Sequence, residues 1–364
     1  MKERMHAMNI TPEKRPTAGN VPMPAFFNPA NAARWGYRPT MSQVFAEAQM
    51  LRKRMAQKPA AKDDKKVHLL LIDVQQDFCL KEGTLYVGGR SGMGAIEDSG
   101  RIAEFIYREL GALTKITVTM DTHLAYQIFS PSFWEKADGT PVEPHTVITA
   151  ADLDKGTFRV SVQAASALGL NYVWLTKYVR HYTSELEKAG KYMLYIWPFH
   201  CLLGTDGHSL VGVVEEACMF HAFARGADFK PQVKGGHPLT ENYSVLSPEV
   251  RIAHDGITPV GQQNVAFIKM LLEADRVIIA GQAASHCVKS TIDDLLSEIV
   301  AKDPALAKKV YVMRDCMSAV AVSDGKGSFY ADFTQQAEEA LTRFADAGMH
   351  VVTSTESTDT WKDF

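Results

Sequence analysis

Val277-Ile-Ile-Ala-Gly-Gln-Ala-Ala-Ser-His-Cys-Val288 is the stretch that decides the fold. An apolar run of strand composition ends at Gly281, a loop of small residues follows, and Cys287 leads into a segment from Val288 to Val300 that reads as a helix. This order predicts a cysteine in the first turn of a helix, just past the carboxyl end of a buried strand. Backbone N–H groups and the helix dipole at such a place favour thiolate over thiol. The same N–H groups stabilise an oxyanion on a carbonyl attacked by sulfur. A cysteine hydrolase is therefore the first hypothesis. The plain alternative is an inert buried thiol, since free cysteines are commonly buried.

Outward from this stretch, strands and helices alternate. Val67-His-Leu-Leu-Leu-Ile-Asp73 is a continuous apolar run, as expected of a strand covered on both faces. Lys115–Asp121, Tyr192–Trp197, Phe229–Lys234, Arg276–Ala280, Val310–Asp315 and His350–Thr353 read as further strands. Pro231 assigns Phe229–Lys234 to a sheet edge, because proline cannot donate to a ladder. Helices are expected from Gly94 to Gly111, Gly207 to Arg225, Val265 to Ala274, Val288 to Val300 and Phe329 to Ala347. Repeated βα units predict an α/β fold of three layers, α/β/α, with a mostly parallel sheet. Ligands of such sheets bind beyond the carboxyl ends of the strands. Asp73, Asp121, His200, Lys234 and Cys287 all fall at or just past those ends, which points to one shared site.

Within that set the chemistry divides in two. Asp73 is placed to accept the Cys287 proton if burial raises its pKa. An ammonium at Lys234 would hold Asp73 and favour charge near the sulfur. Taken alone, Asp73 also reads as a loop or capping acid and Lys234 as a solvated loop lysine. Asp121 and His123 stand two apart on an extended segment and point the same way. With His200 they offer one carboxylate and two imidazoles, a donor set for Zn²⁺, Fe²⁺ or Mn²⁺ with open positions. A pair of structural histidines is the alternative. Cys201, beside His200, is a rival nucleophile, but the preceding Trp197-Pro198 suggests a tight turn. Cys79, Cys218 and Cys316 read as structural.

The chain has 364 residues and a net charge of −3, which gives no reason to expect nucleic acid or an anionic membrane as partner. No apolar run approaches the roughly 20 residues of a membrane span. Met1-Lys-Glu-Arg-Met-His6 has no apolar core of a signal peptide, and five scattered cysteines without a CxxC pair suit free thiols in a reducing cytoplasm. Residues 1–66 differ from the rest. Pro16, Pro22, Pro24 and Pro29 break the first part, a helical stretch runs from Thr40 to Ala56, and Ala60-Ala-Lys-Asp-Asp-Lys-Lys66 is a charged linker. This reads as an arm that wraps a neighbour or its own domain, with disorder as the alternative. Residues 67–364 are expected to form the hydrolase domain, with an insertion at about 133–190 that would cover the site or build a subunit interface.

Five segments in order resemble the isochorismatase-like cysteine hydrolases, and most of all the nicotinamidase branch. They are Leu71-Ile-Asp73-Val-Gln-Gln-Asp77-Phe78, then Asp121-Thr-His123 with Phe129-Ser130, then Trp197-Pro-Phe-His200-Cys201 with Gly204, Thr205 and Gly207. Lys234-Gly235 with Tyr243-Ser244 and the loop Gly281 to Val288 complete the set. Isochorismatases lack the cysteine, so Cys287 speaks for the amidase side.

The resemblance implies a hydrolase of a small carboxamide, nicotinamide first, acting through a thioester. It implies Asp73, Lys234 and Cys287 as catalytic residues and backbone N–H groups at Ala284, Ser285 and His286 around the oxyanion. A cis bond is implied between Ala284 and Ser285 or beside it. One divalent ion, zinc first and iron or manganese otherwise, is implied on Asp121, His123 and His200, where it would hold the pyridine nitrogen. Phe78, Trp134 and Tyr243 would wall the ring, and a homo-oligomer is expected. The segment Leu124 to Phe129 lacks the extra metal histidine of some nicotinamidases. A same-fold amidohydrolase acting on a ureido compound is one rival. A non-catalytic binding protein of this fold is another, although it would be expected to lose one of the three catalytic residues.

Overall fold

The structure is a computed structural model, and it describes residues 21–190 and 192–364. Pro16 and the start of the expected arm lie outside the described residues. Six strands form the central sheet: β1 (Val67–Ile72), β2 (Lys115–Asp121), β3 (Gln232–Lys234), β4 (Arg276–Gly281), β5 (Val310–Met313) and β6 (His350–Val352). Their spatial order is β6-β5-β4-β1-β2-β3, and every neighbouring pair is parallel. Among the described residues, seven helices of eight or more residues accompany them: α1 (Met41–Arg54), α2 (Gly94–Arg108), α3 (Tyr172–Ala189), α4 (Gly212–Arg225), α5 (Val265–Glu273), α6 (Cys287–Lys302) and α7 (Thr334–Asp346).

Successive strand residues point to opposite faces, so the apolar strands feed two separate cores. Leu69, Leu71, Ile278, Ala280, Tyr311 and Met313 pack with residues of α1, α2 and α4. Leu70, Ile72, Val277, Ile279, Val310 and Val312 pack with residues of α3, α5, α6 and α7. The result is a three-layer α/β/α domain. All six β1 residues are buried, and each large aliphatic side chain so covered contributes about 1.5–3 kcal/mol.

Gly281 ends β4 at φ +117, and a Cβ there would lie 2.0 Å from the Ile72 carbonyl oxygen. Only glycine lets the loop before Cys287 press this closely on the end of β1.

Three expectations need correction. Tyr192–Trp197 is not a sheet strand: only Leu194–Tyr195 is extended, paired antiparallel with Val147–Ile148 in a separate ribbon. Its neighbour Trp197 donates its N–H to Phe129 O instead, and Pro198 follows. Phe229–Lys234 shortens to Gln232–Lys234, at the sheet edge as Pro231 required. The expected helix from Phe329 begins only at Thr334, because Phe329–Asp332 pairs with Ala321–Ser323 across a turn containing Gly325 and Gly327. The aromatic pair Phe329-Tyr330 favours a strand once a partner is present.

Residues 21–66 lie on their own domain. Val44, Ala48 and Leu51 of α1 are buried, Phe45 meets Phe223 edge-on at 5.1 Å, and Tyr37 donates to Glu216 at 2.5 Å. Between β2 and β3 lie the ribbon Trp134–Lys136/Phe158–Val160 and α3. Two α3 tyrosines hold the loop that follows β3: Tyr178 donates to Leu239 O at 2.6 Å, and Tyr182 accepts the Glu241 N–H at 3.1 Å. Among the described residues no helix is long and apolar enough to cross a membrane.

Candidate active site

Three strand ends bring the expected residues together. Asp73 directly follows β1, with a left-handed backbone at φ +48. Lys234 is the last residue of β3, and Cys287 the first of α6. The Lys234 ammonium lies 2.9 Å from Asp73 Oδ2, 3.1 Å from Asp121 Oδ1 and 3.6 Å from Cys287 Sγ, and it donates to Asn242 O at 2.8 Å. Thr119, on β2, donates to Asp73 Oδ1 and accepts the Asp73 N–H at 3.0 Å. Gln75 clamps the Asp121 backbone from both sides, accepting its N–H at 2.7 Å and donating to its carbonyl at 2.8 Å.

Burial governs the charge states. It is the largest influence on Asp73 and raises its pKa; Lys234 opposes this, and Asp121 adds to it. Burial likewise raises the Cys287 thiol well above its usual range, against the pull of Lys234. The helix N-terminus therefore does not by itself leave a resting thiolate, and the sulfur needs a base. Burial also works against the Lys234 charge, but Asp121, Asp73 and Cys287 together outweigh it and hold the ammonium well above the usual lysine value.

Asp121, His123 and His200 form a second cluster, with ligand atoms within 4.8 Å of one another. His123 Nδ1 faces Gly235 O at 3.3 Å, and His200 Nδ1 faces Pro198 O at 2.7 Å. A carbonyl accepts only from N–H, so both Nδ1 atoms donate there and both rings turn Nε2 toward Asp121. Those Nε2 atoms lie 2.9 and 3.9 Å from Asp121 Oδ2. Gly235 closes the cradle: a Cβ at its φ of +81 would lie 2.6 Å from Asp121 Oδ1 and 2.8 Å from His123 Cε1. A buried carboxylate and two imidazoles whose Nε2 atoms converge on it fit a divalent transition metal.

Cys287 of the first cluster and Asp121, His123 and His200 of the second line one cavity. Phe78 and Tyr243 line it, as the sequence suggested. Trp134 does not: it is buried in the core, and its indole N–H donates to Ile128 O. Trp197 takes the wall position instead. Of the three amides expected around an oxyanion, two are engaged, Ala284 to Ser318 O at 2.8 Å and His286 to Ala283 O at 3.0 Å. Ser285 does not line the cavity, whereas Ala283 and Cys287 do, and among the described residues their amides donate to no protein acceptor. The cis bond is Gln282–Ala283, upstream of the expected Ala284–Ser285.

Sequence reasoning missed Thr119, Glu241 and Trp197. Period-two spacing from Asp121 puts Thr119 on the same strand face, so that signal was available. Trp197 stands three residues before His200 in an already selected segment. Glu241 carries no local signal. The remaining cysteines stay apart from the cavity. Cys201 is fully buried at φ +45, its N–H held by Asp77 at 2.7 Å, and burial raises its thiol well above the usual range.

No protein-family model and no curated protein matches the sequence. Solved structures do. A nicotinamidase/pyrazinamidase of Acinetobacter baumanii is 20% identical, with 81% of this chain and 99% of that chain covered at a TM-score of 0.45. The yeast nicotinamidase Pnc1p, bound to the inhibitor nicotinaldehyde, is 19% identical over 79% of this chain and 99% of its own, at 0.45. A pyrazinamidase of Pyrococcus horikoshii in complex with zinc is 19% identical over 79% and 99%, at 0.39.

Proposed function

We propose that this protein is a nicotinamidase-like cysteine amidohydrolase that converts a small heteroaromatic carboxamide, nicotinamide first, to the carboxylate and ammonia. The observation that carries the reading is the Lys234 ammonium held between Asp73 and Cys287 Sγ, at 2.9 and 3.6 Å, with Cys287 lining the cavity. A buried thiol, a buried acid and a fixed cation in contact are the parts of an activated nucleophile.

The Asp73 carboxylate takes the thiol proton, and the sulfur attacks the amide carbon. The Ala283 and Cys287 amides receive the oxyanion. Collapse breaks the C–N bond, and ammonia leaves with the proton that Asp73 returns. A thioester on Cys287 remains. Water then attacks it, giving a proton to Asp73; the C–S bond breaks, the acid departs, and the proton returns to sulfur. Lys234 keeps its charge throughout and favours the thiolate.

Asp121, His123 and His200 would hold one divalent ion, zinc first. When bound, it supplies a Lewis-acid anchor for the ring nitrogen of the substrate. Phe78, Trp197 and Tyr243 enclose the ring between aromatic faces.

Ammonia release from a panel of amides, with and without chelator, tests this reading. It expects turnover of nicotinamide and pyrazinamide, lost on chelation. Activity confined to ureido compounds would overturn the substrate class.

A further inference from the structure

Glu241 is a buried carboxyl that neither cluster uses. It lines the same cavity as Cys287 and His200, and only 5% of its surface is exposed. Its Oε1 accepts the Trp197 indole N–H at 2.9 Å, and the Tyr243 hydroxyl also bonds to the carboxyl. Among the described residues no lysine, arginine or histidine pairs with it. Burial pushes its pKa up to about 8.

The mounting of this group is rigid. The Glu241 N–H donates to Tyr182 at 3.1 Å, and its carbonyl accepts from Glu249 N–H at 2.9 Å and from the Thr240 hydroxyl at 3.2 Å. Buried acids without a counter-charge are costly, and proteins usually pair them. Because Glu241 lines the cavity, a group on the ligand is what can add to its two protein donors. Lys234, Asp73 and Cys287 account for the carboxamide, and the metal triad accounts for the ring nitrogen. Glu241 is the lining acid that these roles leave over.

We propose that Glu241 is a specificity-determining residue: it accepts a hydrogen bond from an amino group carried on the substrate ring, so that amino-substituted heteroaromatic carboxamides are preferred over the bare ring. This inference rests on the amidase reading of the same site. Two donors already reach the carboxyl from the protein, and a ring N–H adds a third. The bare ring forgoes that third bond.

The test compares kcat/KM for nicotinamide with that for its amino-substituted isomers, one for each open ring carbon. In the wild-type protein at least one isomer should exceed nicotinamide by about fivefold, the scale of one neutral hydrogen bond. Glu241→Met should bring that ratio to one or below. Trp197 keeps an acceptor in this variant, because Tyr243 Oη lies 3.0 Å from its indole nitrogen. Glu241→Gln, which retains an acceptor oxygen, should keep part of the preference. Because each ratio is taken within one protein, a general loss of activity cancels. The proposal is overturned if no isomer exceeds nicotinamide in the wild type, or if Glu241→Met keeps the preference. Should Glu241→Met not fold, the wild-type and Glu241→Gln ratios decide. If the wild type releases ammonia from none of these amides, the amidase reading fails by itself. Calorimetric Kd values for the same compounds then decide the role of Glu241: tighter binding of an amino isomer upholds it, and equal binding overturns it.

Discussion

The Lys234 ammonium sits 2.9 Å from Asp73 Oδ2, with both side chains sealed from solvent. Removing one partner of a buried pair leaves the other charge uncompensated. Lys234→Met should therefore lower kcat/KM by at least about 10²-fold, the scale of an electrostatic catalytic group. Lys234→Arg should not restore it, because a planar guanidinium does not replace a compact ammonium among two carboxylates and a sulfur. Steady-state kinetics on the two variants check this, and a loss below about threefold would make Lys234 a bystander.

The pH profile follows from the direction of the Asp73 shift. Burial raises its pKa, so the fraction of ionised base, and with it kcat/KM, should fall at a pH above the ordinary aspartate value of about 3.9. Lys234 lowers the Asp73 pKa, so Lys234→Met should move this acid limb further up in pH. The limb reports the coupled Asp73–Lys234–Cys287 unit. An acid limb unmoved in Lys234→Met would refute the coupling.

Metal content tests the second cluster. The protein should bind about one divalent ion per chain, and His123→Ala should lose it, since two protein ligands are too few for a stable site. Gly235→Ala should weaken binding as well, because its Cβ would press on Asp121 and His123. Elemental analysis after loading with zinc, manganese or iron reads both. Full occupancy in His123→Ala would leave the histidines structural.

Benzamide has the shape of nicotinamide without the ring nitrogen. If the metal anchors that nitrogen, nicotinamide should be preferred by roughly 10²-fold, which corresponds to about 2.7 kcal/mol. Competition assays measure the ratio, and equal turnover would defeat the anchoring while leaving the cysteine chemistry standing.

The parallel core of the fold was legible because β1 and β4 are apolar on both faces, a pattern that only a sheet covered by two helix layers satisfies. Asp73, Asp121, Lys234 and Cys287 were legible for the same reason: each stands at a strand end or helix start that the pattern marks. Tertiary partners decided what the pattern could not. Tyr192–Trp197 has strand composition, but its Trp197 N–H is taken by Phe129 O. Trp134 and Trp197 are equally aromatic in the sequence, and only the bond from Trp134 to Ile128 O commits one to the core. Glu241 belongs to a loop positioned by Tyr178 and Tyr182 of a distant helix, so nothing within its own segment announces a buried acid.

The central claim is that Cys287 is the nucleophile of an amide hydrolysis. Acid-quenched mass spectrometry of metal-loaded protein turning over nicotinamide tests it most directly. The account predicts an acyl group on Cys287 in the wild type, and neither adduct nor ammonia from Cys287→Ala, with Cys201→Ala remaining active. Ammonia release by Cys287→Ala at the wild-type rate, or an acyl group on Cys201, would contradict it.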